Sequence, residues 1–473
     1  MAKEYDLAVL GGGIGGYAAA IRASQLGMQV ALVEKAELGG TCLHRGCIPT
    51  KAFLRSAEVF RQTREAGDYG IETKTTTLRF DRVQERKNNI VQTLYKGVQG
   101  LINKNQIDVF TGYGRILGPS IFSPLPGTIS VEHAHDKENT MVVSKHVLIA
   151  TGSRPKILPG LDIDGTYVMT SDEALQMQNL PQSIIIVGGG VIGIEWASLL
   201  ADFGVEVTII EYSDDILPTE DRDVVREAEK QLQQRGVVFV KSAQVLPETL
   251  DKSNGVKIDV KKDDEINSYR AGKMLVCIGR EANVKNIGLE NTDIVVKNGY
   301  IQTNEFYQTK ETHIYAVGDV IGGMQLAHAA YHEGIKAVEH IAGAEPLPID
   351  YKTVPRCIYA SPEVASVGLS EKEAKDKGFN IKTGKFPFQA VGKALVYGEL
   401  TGFVKLVADQ KTEDILGIHM IGPHVTDMIS EAGLAKILDA TPWEISQTVH
   451  PHPSLSEVIG EAAMAVDGMQ IHG

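Results

Sequence analysis

The stretch Leu7–Lys35 recurs at Ile184–Tyr212 in one constant register without a gap, and this duplication constrains the fold more than any other feature of the chain. Each copy runs from a short apolar segment into a glycine-rich turn, then a helical pattern, then a second apolar segment that ends on an acid. Gly11, Gly13, Gly16, Gly27 and Glu34 of the first copy fall on Gly188, Gly190, Gly193, Gly204 and Glu211 of the second. Strand, GxGxxG turn, helix and strand with an acid at the end form a dinucleotide-binding fingerprint. The glycines admit a pyrophosphate to a helix N-terminus, and the acid can bond a ribose hydroxyl. Chance does not hold five such matches in step, so the chain is expected to carry two dinucleotide domains.

The copies differ at one informative place. Glu195 aligns with Ala18, so a carboxylate there is not needed for binding a dinucleotide. A charge on the inner side of that helix needs a partner. Lys51 is the candidate partner, and two unrelated surface charges are the alternative.

The 473 residues, 43% hydrophobic and 23% charged, have an ordinary globular composition with room for about three domains. A net charge of −13 argues against nucleic acid or an anionic membrane as partner. No uncharged, glycine-free apolar run is long enough to span a bilayer. The N-terminus enters a strand pattern directly, without a basic leader or a cleavage site. Four cysteines do not make a secreted framework, so a cytoplasmic location is expected and a disulfide there would be catalytic rather than structural.

Two of those cysteines, Cys42 and Cys47, lie in Gly39-Gly-Thr-Cys-Leu-His-Arg-Gly-Cys-Ile-Pro-Thr-Lys51. Five residues apart on an ideal helix, their Cα atoms would be roughly 8.5 Å from each other on different faces, too far for a disulfide. Gly46, and Pro49 whose ring would clash with the carbonyl of Arg45, supply the means to bend the turn. A bridge made there is strained and readily reduced. Two buried thiols or half of a metal site are the alternatives, and the cysteine-free surroundings disfavour a metal.

Between the two copies, 81–103 reads as a polar helix with Ile90, Leu94, Val98, Leu101 and Ile102 on a packing stripe. Residues 105–148 suggest a small antiparallel sheet. Val147–Gly152 and Leu275–Arg280 are similar buried segments suited to crossings between domains. Asp319 ends the apolar run Ile314–Val317, where it could take a ribityl hydroxyl or serve as a plain cap; Ala327 follows at a helix start. After about Pro346 no dinucleotide pattern recurs. The text becomes α+β, with strands near 354–359, 402–408 and 415–420 and helices near 426–438 and after Thr441-Pro442. Within His450-Pro-His-Pro-Ser-Leu-Ser-Glu457, prolines on both sides hold His452 in extended chain. Glu457 could turn back to His452, or it could close a capping box with Ser454.

Taken together, the motifs at 39–51, both fingerprints, Ala-Thr-Gly at 150–152, Val-Gly-Asp at 317–319 and His-x-His-Pro-x-x-x-Glu at 450–457 resemble the pyridine nucleotide–disulfide oxidoreductases. The resemblance covers essentially the full length. It is strongest to those members that oxidise dihydrolipoamide for 2-oxo acid dehydrogenase complexes. It implies an α/β fold with two Rossmann-like domains, for FAD and NAD, and an α+β C-terminal dimerisation domain. The implied segments are 1–148 and 277–346 for FAD, 149–276 for NAD and 347–473 for the interface.

The resemblance also implies site roles. FAD would meet Gly11, Gly13, Gly16, Glu34, Lys51, Thr151, Gly152, Asp319 and Ala327. NAD would meet Gly188, Gly190, Gly193, Glu195, Glu211 and Gly279. Cys47 would stand over the flavin and Cys42 would face the substrate. His452, oriented by Glu457, would come from the other subunit of a homodimer. No metal is implied; the partners would be the lipoyl domain of an E2 acyltransferase and its peripheral subunit-binding domain. Glutathione and trypanothione reductases use NADPH, and an acid at Glu211 would repel its 2′-phosphate. Mercuric and large thioredoxin reductases need a C-terminal redox pair, which Gly468–Gly473 lacks, and flavin transhydrogenases need no disulfide. A flavoprotein scaffold with little turnover is the alternative from another class. The stretch Gly118–Gly127 is similar to bacterial chains attached to branched-chain 2-oxo acid complexes.

Overall fold

The computed structural model describes residues 4–121, 124–134 and 138–472. They form two compact bodies. The first comprises the chain up to Ala52, Arg82–Lys156 and Arg280–Ile349; the second comprises Phe53–Asp81, Ile157–Gly279 and the chain from Asp350 onward.

The elements begin as the duplicated pattern predicts. Strand β1 (Glu4–Leu10) leads through the glycine turn into α1 (Ile14–Gln25) and β2 (Val30–Glu34). Helices α2 (Gly40–Arg45), α3 (Cys47–Arg64) and α4 (Phe80–Lys104) follow, then β3 (Asp108–Thr111), β4 (Tyr113–Ile116), β5 (Ile129–Glu132) and β6 (Thr140–Ile149). The sheet order is β3-β2-β1-β6, all parallel, and Ile314–Ala316 adds beside β6, also parallel. Both faces of β1 are covered, and from Leu7 to Leu10 residues alternate between them. Leu7 and Val9 join Ala19, Ala20 and Leu148 on one side, while Tyr5, Ala8 and Leu10 join Ile116, Ile129 and Ile149 on the other.

Two sequence expectations need correction here. Residues 105–148 are not wholly antiparallel: β4 and β5 pair antiparallel up to β6, but β3 extends the parallel sheet through β2. The α4 stripe is also different. Val98 and Ile102 are buried, whereas Leu94 and Leu101 are exposed. The buried line instead passes through Gln84, Lys87 and Val91, because long polar side chains can bury their stems there.

In the second body the repeat builds another parallel sheet, from Val238–Val240, Glu206–Ile210, Ser183–Val187, Lys273–Val276 and Val168–Thr170. Three antiparallel strands, Ala243–Asp251, Val256–Lys262 and Glu265–Ala271, lie between its strands in sequence. The C-terminal part is a five-stranded antiparallel sheet with the helices Val425–Ile437, Pro442–Gln447 and Glu457–Ala465. Thr441 caps the second of these in a full capping box with Glu444, behind Pro442 at its first turn, as the sequence predicts.

A buried ionic knot lies in this body. Lys405, only 3% exposed, reaches Asp221 at 2.9 Å, Asp223 at 3.0 Å and Glu371 at 2.7 Å. Its ammonium is desolvated, but the three carboxylates outweigh that and raise its pKa above the usual lysine range. Lys405→Met is expected to lower unfolding stability by roughly 3–5 kcal/mol, because Asp221 is then left charged and dry. Urea denaturation of the variant measures this.

Candidate active site

The two fingerprints are structurally equivalent down to their hydrogen bonds. Glu34 accepts the Gly12 amide at 2.7 Å and the Ala36 amide at 2.9 Å, one on each carboxylate oxygen. Glu211 accepts the Gly189 and Ser213 amides in the same way, both at 2.6 Å. A side chain at Gly16 would overlap the carbonyl oxygen of Gly11, and one at Gly193 would overlap that of Gly188. That close approach brings helix and strand together beneath each turn. Gly13 and Gly190 are the N-caps of their helices, with no side chain capping either, so the first amides of both helices are free for an anion.

The cysteine turn is seated against the first fingerprint. Gly39 donates its amide to the carbonyl of Gly12 at 2.8 Å, and a Cβ on Gly40 would meet the Cα of Gly13 at 2.6 Å. Only a glycine pair allows this abutment, since Gly39 and Gly40 both have positive φ. Helix α2 carries Cys42 and ends at Gly46, whose φ of −147° and ψ of −110° break the helix before α3 starts at Cys47. The first bond of α3 runs from the Thr50 amide to the carbonyl of Gly46.

The bend that the sequence predicts is therefore present, and it brings the two sulfurs together. Neither cysteine is bonded to another cysteine. A hydrogen bond with Cys47, then burial, pushes the Cys42 thiol far up, while the nearby Lys51 ammonium acts in the opposite direction. Tyr17 of α1 also stands beside Cys42, a neighbour that sequence reasoning missed.

Around the strand ends of the first body, Ser153 donates to Asp319, and Arg280 Nε donates to the Ser153 hydroxyl at 2.7 Å while lying 3.8 Å from the same carboxylate. Glu333, buried, accepts the Gly318 amide at 2.7 Å and so fixes the turn that carries Asp319. Thr151 and Gly152 are locked by Asn283, which exchanges bonds of 2.9 Å with Thr151 and gives its amide to Gly152. Ala327 opens a helix that no side chain caps. Beside it, Gln325 Nε2 is buried without a hydrogen-bond partner among the described residues.

These open amides and the orphaned donor fit a bound dinucleotide cofactor. Arg280, Asn283, Glu333 and Ser153 were not legible as site residues, because their partners lie far away in sequence. Ser153 alone had a signal, next to Thr151-Gly152.

In the second body, Gly279 follows the strand Lys273–Val276 with positive φ. Glu195 is buried and accepts the Tyr359 amide at 3.0 Å. His452 is exposed, and its Nδ1 lies 2.8 Å from Glu457 Oε1; the Ser454 amide donates to Glu457 Oε2 at 2.9 Å. The helix takes Ser456 as its N-cap with no side-chain cap, so Glu457 serves His452 and one backbone amide without closing a capping box with Ser454. Burial would raise the Glu457 carboxyl, but the bonds from His452 and Ser454 prevail and hold it below the usual range. Among the described residues no group of three or more His, Cys, Asp or Glu is placed to hold a metal ion.

Residues 5–334 match the family model for pyridine nucleotide–disulphide oxidoreductases, and residues 354–463 match the dimerisation domain of the same family. The chain belongs to the pyridine nucleotide–disulphide oxidoreductases. A dihydrolipoyl dehydrogenase of Bacillus subtilis is 66% identical over 473 residues, all of both chains. A second from the same strain is 40% identical over 98% of this chain and 99% of its own. The solved structure of LpdA from Mycobacterium tuberculosis superposes with a TM-score of 0.89 at 27% identity, covering 97% and 99% of the two chains. The HOCl-induced flavoprotein disulfide reductase RclA from Escherichia coli does so at 0.84 and 26%, with the same coverage.

Pyridine nucleotide–disulphide oxidoreductases of this kind use FAD and NAD(H), and the two Rossmann-like domains with a C-terminal dimerisation domain are the expected fold. The dimerisation domain makes the protein a homodimer. Among the described residues no helix is long and apolar enough to cross a membrane.

Proposed function

We propose that this chain is the component of a 2-oxo acid dehydrogenase complex that oxidises protein-bound dihydrolipoamide and reduces NAD+. The observation that carries the reading is the pair Cys42 and Cys47, brought together across the break at Gly46 and docked on a dinucleotide turn. In this reading 1–148 and 277–346 hold FAD through Gly11, Gly13, Gly16, Glu34, Lys51, Thr151, Gly152, Asp319 and Ala327. Residues 149–276 hold NAD through Gly188, Gly190, Gly193, Glu195 and Glu211, with Gly279 at the crossing. Residues 347–473 form the interface.

His452 of one subunit takes a proton from a dihydrolipoamide thiol, since the thiolate is the nucleophile. Glu457, ionised through its lowered pKa, keeps the ring in the tautomer whose Nε2 is free to accept that proton. The substrate thiolate attacks Cys42 Sγ, forming a mixed disulfide and expelling Cys47 as a thiolate. The second substrate thiol displaces Cys42, and lipoamide leaves with its disulfide closed. The enzyme then holds both electrons as a dithiol, with Lys51 placed to balance thiolate charge. FAD, when bound, couples this thiol oxidation to hydride transfer onto NAD+.

Adding dihydrolipoamide and NAD+ to the FAD-loaded homodimer and recording NADH tests the reading; a flavin-loaded protein that makes none would be the scaffold instead. The partners in this reading are a lipoyl domain and a peripheral subunit-binding domain of an E2 acyltransferase, in the cytoplasm. A strain with two such dehydrogenases, of which this chain follows one far more closely, supports a dedicated complex. Gly118–Gly127, of which 122 and 123 lie outside the described residues, points to a branched-chain 2-oxo acid complex. A pyruvate-specific acyltransferase co-purifying with the chain would overturn that assignment.

A further inference from the structure

Tyr212 stands one residue past Glu211, where the second fingerprint ends, and no step above uses it. It is 76% exposed, more than any other tyrosine among the described residues. A tyrosine ring carries a large apolar area that is ordinarily covered at least in part. Among the described residues this one makes no hydrogen bond and no ring or cation contact.

The chain on both sides of the ring is nevertheless tied down. Glu211 donates its amide to the carbonyl of Val240 at 2.9 Å, and its own carbonyl accepts the Ala243 amide at 3.0 Å. Ser213 donates its amide to Glu211 Oε1 at 2.6 Å, and its carbonyl accepts the Ser242 amide at 3.0 Å. Tyr212 is thus carried between two anchored residues, and a ligand has only the torsions of its side chain to freeze.

The acid decides what such a ring can meet. A carboxylate that bonds a ribose hydroxyl holds the sugar whose neighbouring carbon bears the base. The next Cα is about 3.8 Å further along the chain, which brings that base within reach of a side chain as long as tyrosine's. In the first copy the same register position is Lys35, whose ammonium lies 5.9 Å from the ring centroid of Tyr113. The first turn therefore presents a cation already resting on an aromatic ring, and the second presents a bare ring.

We propose that Tyr212 stacks on the adenine of NAD and fixes the adenosine half of the nucleotide, a step that rests on the reading that places NAD at the second turn. NAD+ and NADH share that half, so the stack strengthens the binding of both alike and leaves the rate at saturation unchanged. The ring supplies the contact and the hydroxyl has no part in it.

In the FAD-loaded dimer, Tyr212→Ala should raise the dissociation constant of ADP-ribose, read by equilibrium dialysis, about tenfold, within the range for one base on an aromatic ring. Tyr212→Phe should bind as the parent does. The NADH concentration that half-saturates flavin reduction should rise by a similar factor in Tyr212→Ala, with the limiting rate unaltered. Reduced nicotinamide mononucleotide lacks the adenosine half and should reduce the flavin equally well in all three proteins. Unchanged ADP-ribose binding in Tyr212→Ala, or an equal loss with reduced nicotinamide mononucleotide, overturns the proposal.

FAD also carries an adenosine, so FAD content reports on the assignment of the two turns. Loss of FAD from Tyr212→Ala with ADP-ribose binding intact would exchange the nucleotides between the copies, and the reading of the second turn would fall with the stack. Glu211→Gln should weaken ADP-ribose binding if that reading holds. Weakened binding there beside unchanged binding in Tyr212→Ala removes the stack alone. A parent that NADH reduces but dihydrolipoamide does not would remove the proposed activity and leave the stack standing.

Discussion

Cys47→Ser is expected to abolish NAD+ reduction by dihydrolipoamide, by on the order of 10⁴-fold or more, as for loss of a covalent catalytic group. The substrate thiolate then has no disulfide to attack, because the partner of Cys42 is gone. The fingerprints and the Asp319 network are untouched by the change, so FAD content should be normal. Oxidation of NADH by an artificial electron acceptor should continue, since it needs only flavin and nucleotide. Cys42→Ser should be equally inactive with dihydrolipoamide, but it leaves Cys47 as a lone thiol, which the proposed reading sets next to the flavin. A long-wavelength thiolate–flavin absorption in Cys42→Ser and its absence in Cys47→Ser would separate the roles of the two sulfurs. Normal turnover in either variant would remove the disulfide from the mechanism.

His452→Gln is expected to slow dihydrolipoamide oxidation by roughly 10²-fold or more, the range for a lost general base. FAD content and NADH-to-acceptor activity should stay level. The pair with Glu457 adds a pH signature. The folded carboxyl is held low by His452 and Ser454, so its contribution is present above the ordinary glutamate value of about 4.3 and is lost as pH falls through the lowered one. Glu457→Gln should therefore remove an acid-side stability increment that His452→Gln removes only in part, because the Ser454 amide bond survives in the latter. Thermal melts between pH 3 and 6 read the difference.

The sequence carried the two nucleotide turns with their exact residues because a glycine turn under a helix is a local requirement. Glu34 and Glu211 could be named because each bonds the glycine turn of its own repeat unit, 22 positions back. The bend at Gly46 was legible for the same reason: the glycine, the proline and the two sulfurs lie within residues 42–49. What could not be read is pairing at a distance. Asn283 meets Thr151 across 132 positions, and nothing in either segment announces it.

Glu457 matched two local patterns in the sequence, and the geometry decides between them: it bonds His452 and the Ser454 amide, while the helix takes Ser456 as its N-cap and no capping box with Ser454 forms. The α4 stripe misled because apolar spacing ignores the aliphatic stem of a lysine, and Lys87 is buried where Leu94 is not. Lys405, in the middle of an apolar strand, passed unnoticed although it gathers three carboxylates.

The abutment of Gly39 and Gly40 on Gly12 and Gly13 has a consequence for biogenesis. The glycine turn of the first fingerprint is also the floor on which the thiol-bearing turn rests. In a newly made chain the cysteines can therefore reach their places only once that turn has formed beneath them.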